Sequence, residues 1–410
     1  MANYQFAMHK LKKNLQRVTK ITLLALAVVH ITSSVTVTAE TAPEWLTLLD
    51  KIVNINSGTQ NIEGLEAVRE VLIPEFEKLG FKATIHNLND GHKLVSMVVP
   101  GGKPELLLMG HIDTVFKKDS TFQEYEVKGD RIYGPGIIDM KAGIVMMLGL
   151  LKKFKDADQL KKFMVIINDD EEIGSPHSHA LVNKLVVDVK SGLVLEPGLP
   201  GGAVVTSHSG VSWLTLSVRG KASHAGLEPE KGINACVELS HKAVEISKLT
   251  EYSKKLTVNV GVITGGSKPN VVCEHATATI DIRFVEKGDG ENTVRKIQEI
   301  TDKSYVYNDY LKTTPTAKLE TLVAIPSMPS PHAKRLYGLL EIAGESINQK
   351  VSGSHVGYTS DANHLADTGM DLLVGLGPYG EGMHTDSEYL TISTYEERLK
   401  LTEALIKEIL

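Results

Sequence analysis

Apolar runs that end in Gly, Asp or Glu recur along most of this chain, and amphipathic helical stretches separate them. This alternation is typical of helices that pack on a mostly parallel β-sheet, so it predicts an α/β fold. The predicted strands are Leu94–Val99, Glu105–Met109, Phe163–Ile167, Leu193–Leu195 and Leu372–Leu376. In open sheets of this kind, functional residues gather just beyond the carboxyl ends of the strands. Candidate functional residues are therefore expected where these strands end.

The chain is long enough, at 410 residues, to form two domains. From about Ser207 the pattern changes, because GVSWLTLSV, LTVNVGVI and ATATIDIRF alternate like half-exposed strands around helices predicted at Gly232–Leu249 and near Thr293–Ile300. This pattern predicts a small α+β domain in a ferredoxin-like arrangement, inserted between two parts of a larger domain. The predicted organisation is a leader at 1–39, two parts of the larger domain at 40–206 and 317–410, and the inserted domain at 207–316.

The N-terminal segment has the features of a secretory signal peptide. Five basic residues precede an apolar run at Ile21–Ile31, there is no Asp or Glu before Glu40, and Val37–Ala39 supplies small residues for cleavage. The apolar run is too short to span a bilayer comfortably, so export to the periplasm or the exterior is predicted, without stable membrane insertion after cleavage. The alternative is an uncleaved amphipathic anchor.

Charge and cysteine usage exclude some classes of function. Removal of the leader would take the formal net charge from −6 to −11, since the leader carries five basic side chains and no acidic ones. Such a surface disfavours nucleic acid and anionic membranes as partners. Cys236 and Cys273 have no second Cys or His at zinc spacing, so they are predicted to be buried thiols rather than metal ligands.

The strand Phe163–Ile167 runs into four acidic residues, Asp169, Asp170, Glu171 and Glu172. Adjacent like charges raise one another's pKa, and a bound cation would reverse that cost. Of two neighbouring carboxylates, one can bind a metal while the other holds the attacking water. Glu171 and Glu172 are therefore candidates for these two tasks, and Asp169 and Asp170 are expected to be supporting or solvated.

Four more candidates follow other strands or lie in loops: His111, Asp139, Glu196 and His384. Each has a simpler explanation when it is taken alone, as a structural His, a helix N-cap, a solvated turn carboxylate or an exposed loop His. Strand alternation puts Asp113 on the same side as His111, where it can fix the imidazole tautomer. Together these residues offer two His and three carboxylates of the kind that bind zinc, with one Glu left for acid–base chemistry.

These residues stand in an ordered set of segments, which are GHIDTV, GPGIIDMKAG, DDEEIGS, LEPG, SHAG and MHTDSEYL. The set resembles the dinuclear zinc exopeptidases that include glutamate carboxypeptidase, aminoacylase, acetylornithine deacetylase and succinyl-diaminopimelate desuccinylase. The resemblance spans nearly the whole mature chain and implies a zinc-exopeptidase catalytic domain with an inserted lid. It also implies an exported, zinc-dependent carboxypeptidase that cleaves a small peptide or N-acyl amino acid with a metal-bridged hydroxide.

The resemblance assigns a role to each candidate. Asp139 would bridge two Zn²⁺ ions, for which Co²⁺ or Mn²⁺ are possible substitutes, and the peptide bond from Asp139 to Met140 would be cis. His111 and Glu196 would complete one metal site, and Glu172 and His384 the other. Glu171 would be the general base, with Asp113 supporting His111.

The lid carries three further candidates. By the same resemblance, His224 would stabilise the oxyanion in an active site, often that of the partner in a homodimer formed through the lid. Asn270 and Arg283 would contact the substrate carbonyl and carboxylate; the simpler explanations are a turn residue and a surface salt bridge. Glutamate-releasing relatives carry an Arg near the position of Ile325, so its absence here weakens the expectation of glutamate release.

Three other interpretations remain open at this point. The first is an N-acyl amino acid deacylase of the same family, and the second is a biosynthetic deacylase in the cytoplasm, which the leader argues against. The third is a catalytically idle peptide- or metal-binding protein, although such a protein has no need for Glu171. Four other histidines, His177, His179, His355 and His364, are expected to be surface or supporting residues.

Overall fold

The computed structural model describes residues 43–154 and 156–410. The predicted leader, residues 1–39, lies outside that part of the chain. Within the described residues, no helix combines the length and the hydropathy that crossing a membrane requires.

Strands and helices alternate along the catalytic part of the chain. The strands are β1 (Lys82–Asn87), β2 (Lys93–Val98), β3 (Leu106–His111), β4 (Glu126–Lys128), β5 (Arg131–Tyr133), β6 (Phe163–Asn168), β7 (Ser191–Val194), β8 (Val204–His208), β9 (Gly210–Arg219), β10 (Thr257–Gly265), β11 (His275–Phe284), β12 (Thr316–Ile325), β13 (Gly353–Val356), β14 (Asp371–Val374), β15 (Gly380–Glu381) and β16 (Tyr389–Thr391). The α-helices are α1 (Glu44–Val53), α2 (Ile62–Glu77), α3 (Ala142–Leu151), α4 (Ala157–Leu160), α5 (His179–Leu185), α6 (Ala235–Ser247), α7 (Lys287–Asp302), α8 (Lys334–Ser346), α9 (Asp361–Ala366) and α10 (Ser393–Ile409).

The largest sheet has eight strands in the order β1-β2-β6-β3-β7-β14-β8-β13. Its central strands β6, β3, β7 and β14 run parallel to one another. Because parallel strands share one direction, the segments that follow them all start at the same edge of the sheet. The predicted ligands at or just after the ends of β3, β6 and β7 therefore lie at the same edge of the sheet.

Helices cover both faces of this sheet, and the side chains of β3 show how. Leu106 and Leu108 enter a core that includes helices α1, α2, α3 and α10. Leu107 and Met109 enter a second core that includes α5 and α9. This alternation follows from the two-residue repeat of a strand, and burial on both faces explains why the central strands are apolar at successive positions.

The lid contains a separate antiparallel sheet in the order β10-β11-β9-β12. Helices α6 and α7 cover one face of it through Leu239 and Ile297, which pack with Leu214 and Ile280 of the sheet. The predicted α/β fold with an inserted α+β lid is therefore confirmed. The five predicted strands are present with ends shifted by one or two residues, whereas α7 begins well before its predicted start.

The prediction of free thiols is wrong, because Cys236 and Cys273 form a disulfide. The bond joins the start of α6 to the segment that precedes β11, and the two Cα atoms are 5.7 Å apart. The sequence argument set a disulfide scaffold aside because the chain has only two cysteines. Residues 37 positions apart meet here because the helix packs directly over the sheet.

Candidate metal centre and active site

His111 is the last residue of β3 and is completely buried. Its Nδ1 lies 3.0 Å from the backbone oxygen of Asp113 and 3.3 Å from the Asp113 carboxylate. Because Nδ1 donates its proton there, the lone pair on Nε2 is left for a ligand. The Asp113 carboxylate also accepts the backbone N–H groups of Glu171 and Glu172 and the hydroxyl of Thr59. Asp113 therefore positions two functional segments at once.

Asp139 lies in the turn Ile137–Lys141, directly before α3. The predicted cis peptide bond between Asp139 and Met140 is confirmed. One carboxylate oxygen of Asp139 is 3.1 Å from His111 Nε2, and the other is 3.1 Å from His384 Nε2. Asp139 thus lies between the two histidines with one oxygen directed to each.

The five predicted ligands form two clusters that share Asp139. His111, Asp139 and Glu196 form one cluster, and Asp139, Glu172 and His384 form the other; within each, the candidate ligand atoms lie within 4.8 Å of one another. His111 Nε2 is 3.5 Å from Glu196 Oε1, and His384 Nε2 is 3.1 Å from Glu172 Oε2. Five segments that are distant in sequence therefore supply one compact set of donors.

The chemistry of these donors fits divalent cations. Glu196 Oε1 is buried and accepts no hydrogen bond from the described residues, and such an oxygen is costly unless a cation offsets its charge. Burial and the charge of Asp139 raise the pKa of Glu172 to about 7. Burial also raises the pKa of Glu196 well above its ordinary value. A cation among these carboxylates would relieve their repulsion, and imidazole with carboxylate is a common ligand set for zinc.

Hydrogen bonds between the histidines and the carboxylates shift the pKa values on both sides. Hydrogen bonds to Asp139 and Glu172 raise the pKa of His384 to about 10. Burial disfavours the ionised form of Asp139, but its hydrogen bonds to His111 and His384 outweigh this and hold its pKa below the ordinary value. The Nε2 atoms of both histidines therefore face carboxylate oxygens of the clusters.

Glu171 stands beside the clusters but belongs to neither of them. Its carboxylate is 3.9 Å from His111 Nε2, and its side chain is 13% exposed. Burial raises the pKa of Glu171 well above its ordinary value, against the opposing charge of His111. A carboxylate with a raised pKa beside a ligand cluster is suited to proton transfer near neutral pH.

A cavity of 730 Å³ connects the clusters to the lid. Arg283 lines this cavity, as does Ile325. His224 and Asn270 are not among its described lining residues, and they neighbour each other on exposed lid loops, where Ala225 N donates to the Asn270 backbone oxygen. The structure therefore brings one of the three lid candidates, Arg283, to the ligand clusters of its own chain.

The sequence argument missed Glu388, which is completely buried. Its carboxylate accepts the backbone N–H groups of Gly136, Ile138 and Asp139 at 2.9–3.2 Å. Glu388 lies four residues after His384, so it joins the loop that carries His384 to the turn that carries Asp139. The available signal was its place in MHTDSEYL, directly before β16.

Asp169 and Asp170 are supporting residues and are not solvated, since both are fully buried. Asp169 pairs with Arg69 and His92. Asp170 accepts the backbone N–H of His177 at 2.8 Å and so closes the turn that follows the carboxylates. The four acidic residues after β6 therefore divide into two that face the clusters and two that hold the backbone.

Two of the remaining histidines also support this turn. His364 Nε2 is 3.0 Å from the backbone oxygen of Gly174, and His179 Nδ1 is 2.7 Å from that of Ser175. The two rings stack with centroids 4.5 Å apart. These histidines act on the backbone after Glu171 and Glu172, as the sequence argument allowed.

Known proteins resemble this chain in sequence and in fold. The model of peptidase family M20/M25/M40 matches residues 107–408. Carboxypeptidase G2 of Pseudomonas sp. (strain RS-16) is 30% identical over 380 residues, covering 90% of this chain and 89% of that protein. An acetylornithine deacetylase of Aliivibrio fischeri is 26% identical over 365 residues, covering 84% of this chain and 92% of that protein. The aminopeptidase PepT of Bacillus cereus shares the fold, with a TM-score of 0.74, 23% identity and coverage of 89% of this chain and 98% of that one.

A parallel sheet whose carboxyl edge gathers two His and three carboxylates, with a further Glu beside them, defines a metal-dependent hydrolase. The family match over most of the length makes the assignment specific. The chain belongs to the peptidase family M20/M25/M40, whose members are metal-dependent peptidases and amidohydrolases. The predicted family and the predicted hydrolase activity are both confirmed.

Proposed function

We propose that this protein is an exported zinc-dependent carboxypeptidase. It would hydrolyse the amide bond that precedes the C-terminal residue of a small peptide, or the amide bond of an N-acyl amino acid. The observation that carries the proposal is the shared carboxylate. Asp139 presents one oxygen to each of two ligand clusters, and Glu171 stands unligated beside them. The similarity to carboxypeptidase G2 over most of both chains supports the carboxypeptidase assignment.

Each residue of the site has a task in this proposal. His111 and Glu196 would hold one Zn²⁺ and Glu172 and His384 a second, with Asp139 shared. When bound, such ions polarise an amide carbonyl and lower the pKa of water. Glu171 would take a proton from the attacking water and return it to the leaving nitrogen.

Arg283 is the proposed partner of the substrate's free carboxylate. Its guanidinium lines the cavity, and a planar fork of N–H groups suits a carboxylate. Asp281 already occupies two of its nitrogens, Nε and Nη2, and Nη1 donates to the Gly357 backbone oxygen at 3.3 Å. Arg283 has five N–H groups in all, so some remain for a ligand.

His224 and Asn270 would serve the site of a second copy of the chain. Both are exposed on lid loops of their own chain, which suits delivery to a partner. The outer lid strand β10 leaves Val262 and Ile263 more than half exposed, and an unpaired strand edge is a ready surface for association. A homodimer formed through the lid is therefore part of the proposal.

Export is supported by two features of the chain. The segment 1–39 has the basic, apolar and small-residue order of a secretory signal. The disulfide between Cys236 and Cys273 suits an oxidising compartment such as the periplasm or the exterior. N-terminal sequencing of the mature protein tests this part: a chain that begins near Glu40 supports export, and one that begins at Met1 contradicts signal cleavage.

A deacylase acting on N-acyl amino acids is the second candidate. The similarity to an acetylornithine deacetylase favours it, and the bond cleaved is again an amide beside a carboxylate. The two candidates differ in the group that is released from the nitrogen. Parallel assays with peptides and with N-acetyl amino acids, compared by kcat/KM, separate them.

The catalytic proposal is tested by comparing Glu171→Gln with Glu172→Gln. Glu171→Gln should keep its zinc and lose about 10²- to 10⁴-fold in kcat, because it removes the proton carrier and no ligand. Glu172→Gln should lose bound zinc together with activity. Elemental analysis measures the bound zinc, and an activity assay measures kcat. Loss of zinc from Glu171→Gln, or wild-type turnover by it, would contradict the assignment. An idle binding protein would show no turnover in any of the three proteins.

A further inference from the structure

The uncovered face of the lid sheet forms one wall of the cavity, and its residues stand in two rows across three strands. Val211 pairs with Arg283 on one side and with Ile325 on the other. Trp213 pairs likewise with Asp281 and Val323. All of these except Asp281 line the cavity. The wall is therefore apolar over two strands, β9 and β12, and charged only on β11.

The apolar part of this wall reaches the catalytic loop. Ile325 is only 7% exposed, and a methyl group placed on Gly174 would lie 2.9 Å from its Cδ1. Gly174 follows Glu172 by two residues, so Ile325 packs against the backbone turn that carries the base. Ile173 and Met383 line the same cavity and are each more than a third exposed. Apolar side chains from the lid strand β12, from the turn after Glu172 and from the loop before His384 thus share the cavity with the charged clusters.

The charges on β11 largely offset each other. Asp281 accepts a hydrogen bond from Trp213 Nε1 at 2.6 Å and a double contact from Arg283. Arg283 is the one Lys or Arg among the described lining residues of the cavity. If it binds the free carboxylate of a substrate, the described part of the cavity offers no second such cation for a side-chain carboxylate. An acidic side chain would then lie against hydrocarbon, where burial of an unpaired charge is costly.

The spacing between strands gives the distance from Arg283 to the apolar residues of the wall. Neighbouring strands lie about 4.8 Å apart, so Val211 is one strand and Ile325 two strands from Arg283. An amino acid whose carboxylate meets Arg283 would place its side chain over the apolar strands. We propose that the cavity selects substrates whose C-terminal residue is apolar, with Val211, Trp213, Val323 and Ile325 as the side-chain subsite. This proposal rests on the carboxypeptidase function proposed above.

The test is a matched series of N-acetyl-Ala-X dipeptides in which X is Leu, Phe, Glu or Lys, assayed with the zinc-loaded protein for release of X. Burial of a Leu side chain in this wall, and exclusion of a charge, should give Leu or Phe at least a tenfold higher kcat/KM than Glu. An equal or higher value for Glu would overturn the proposal. Release of no X from any member of the series would overturn the proposed function as well.

Variants of the wall locate the preference. Ile325→Arg and Val323→Lys each add a cation beside the apolar strands, so each should raise the kcat/KM ratio of Glu to Leu by at least about tenfold. Two positions are used because Ile325 is nearly buried and its replacement carries a folding risk. Leu322→Arg is the matched control: it lies on the same strand, is 59% exposed and is not among the cavity residues, so it should leave the ratio unchanged.

The alternative is that this wall binds the acyl group of the substrate and not the C-terminal side chain. In a second series X is kept as Leu while the N-acyl group grows from acetyl to octanoyl. The proposal expects the wall variants to leave the preference among acyl groups within about twofold. If Ile325→Arg instead changed acyl preference and left the Glu to Leu ratio alone, the wall would bind the acyl group and the proposal would fall.

Discussion

At the scale of single residues, Glu388 is the side chain that joins the turn around Asp139 to the loop of His384. It is buried, and its carboxylate accepts the backbone N–H groups of three residues in the turn around Asp139. Burial raises the pKa of Glu388 to about 8. The same carboxylate lies within the segment that carries His384, so movement of one ligand is coupled to the other.

We predict that Glu388→Gln weakens metal affinity or kcat by about 10- to 100-fold, the usual effect of losing a residue that orients a ligand. The amide NH₂ of Gln would face a backbone N–H that now meets a carboxylate oxygen. Asp386→Asn is the matched control, since Asp386 is exposed on the same loop. Metal titration and the absorption spectrum of the Co²⁺ form measure the effect. Wild-type affinity and spectrum in Glu388→Gln would contradict it.

His208 supplies a pH prediction away from the metal ligands. It is completely buried, its Nδ1 donates to the Tyr358 backbone oxygen at 3.0 Å, and its Nε2 lies 3.4 Å from the Ser360 hydroxyl. Burial lowers the pKa of His208 to about 4, and the neighbouring His355 adds to this. In the unfolded chain the pKa is about 6.5, so unfolding takes up a proton between these two pH values.

The free energy of unfolding should therefore fall as the pH drops from about 7 towards 4, with up to about 3 kcal/mol attributable to His208. The contribution is fully present above the unfolded pKa. His208→Asn removes the titration, so its stability deficit against the wild type should shrink as the pH falls. Urea unfolding at a series of pH values measures both proteins, and a deficit independent of pH would count against the assignment.

At the scale of secondary-structure elements, the disulfide fastens α6 to the segment before β11 within the lid. A cross-link between residues 37 apart removes loop entropy from the unfolded chain. We predict that the double change Cys236→Ser, Cys273→Ser lowers the free energy of unfolding by about 3–4 kcal/mol. Denaturant unfolding with and without a reductant measures it: the wild type should respond to the reductant and the double variant should not. Equal stabilities without reductant would refute the prediction.

The elements were largely predictable because their periodicities are local. The apolar runs that became β3, β6 and β7 carry their ligands at or just after their carboxyl ends, and this placement can be read from the order of residues. The contact of Glu388 with Asp139, and that of Cys236 with Cys273, depend on which segments meet in three dimensions. Hydrophobic periodicity does not indicate which distant segments are in contact, so the role of Glu388 was missed and the disulfide was not predicted. The same limit applies to Asp169, which follows β6 and whose partner Arg69 lies on α2.

At the scale of the whole molecule, the metal centre should contribute to the stability of the fold. Its donors come from five segments, which meet only in the folded chain, so a cation binds the folded state and not the unfolded one. At a free zinc concentration 100 times the Kd, the expected gain is about 2.7 kcal/mol. Chelation should therefore lower Tm and abolish hydrolysis, and added Zn²⁺ should restore both. Glu172→Gln, which lacks a ligand, should show a smaller shift. A Tm unaffected by chelation and by zinc would contradict this prediction.

The order of the ligands along the chain has a consequence for biosynthesis. His111, Asp139, Glu172 and Glu196 all precede the lid, whereas His384 follows it. A ribosome that stalled after translating the lid would release a polypeptide with one complete donor set and one broken one. The second donor set can therefore be completed only after the segment that follows the lid has been translated.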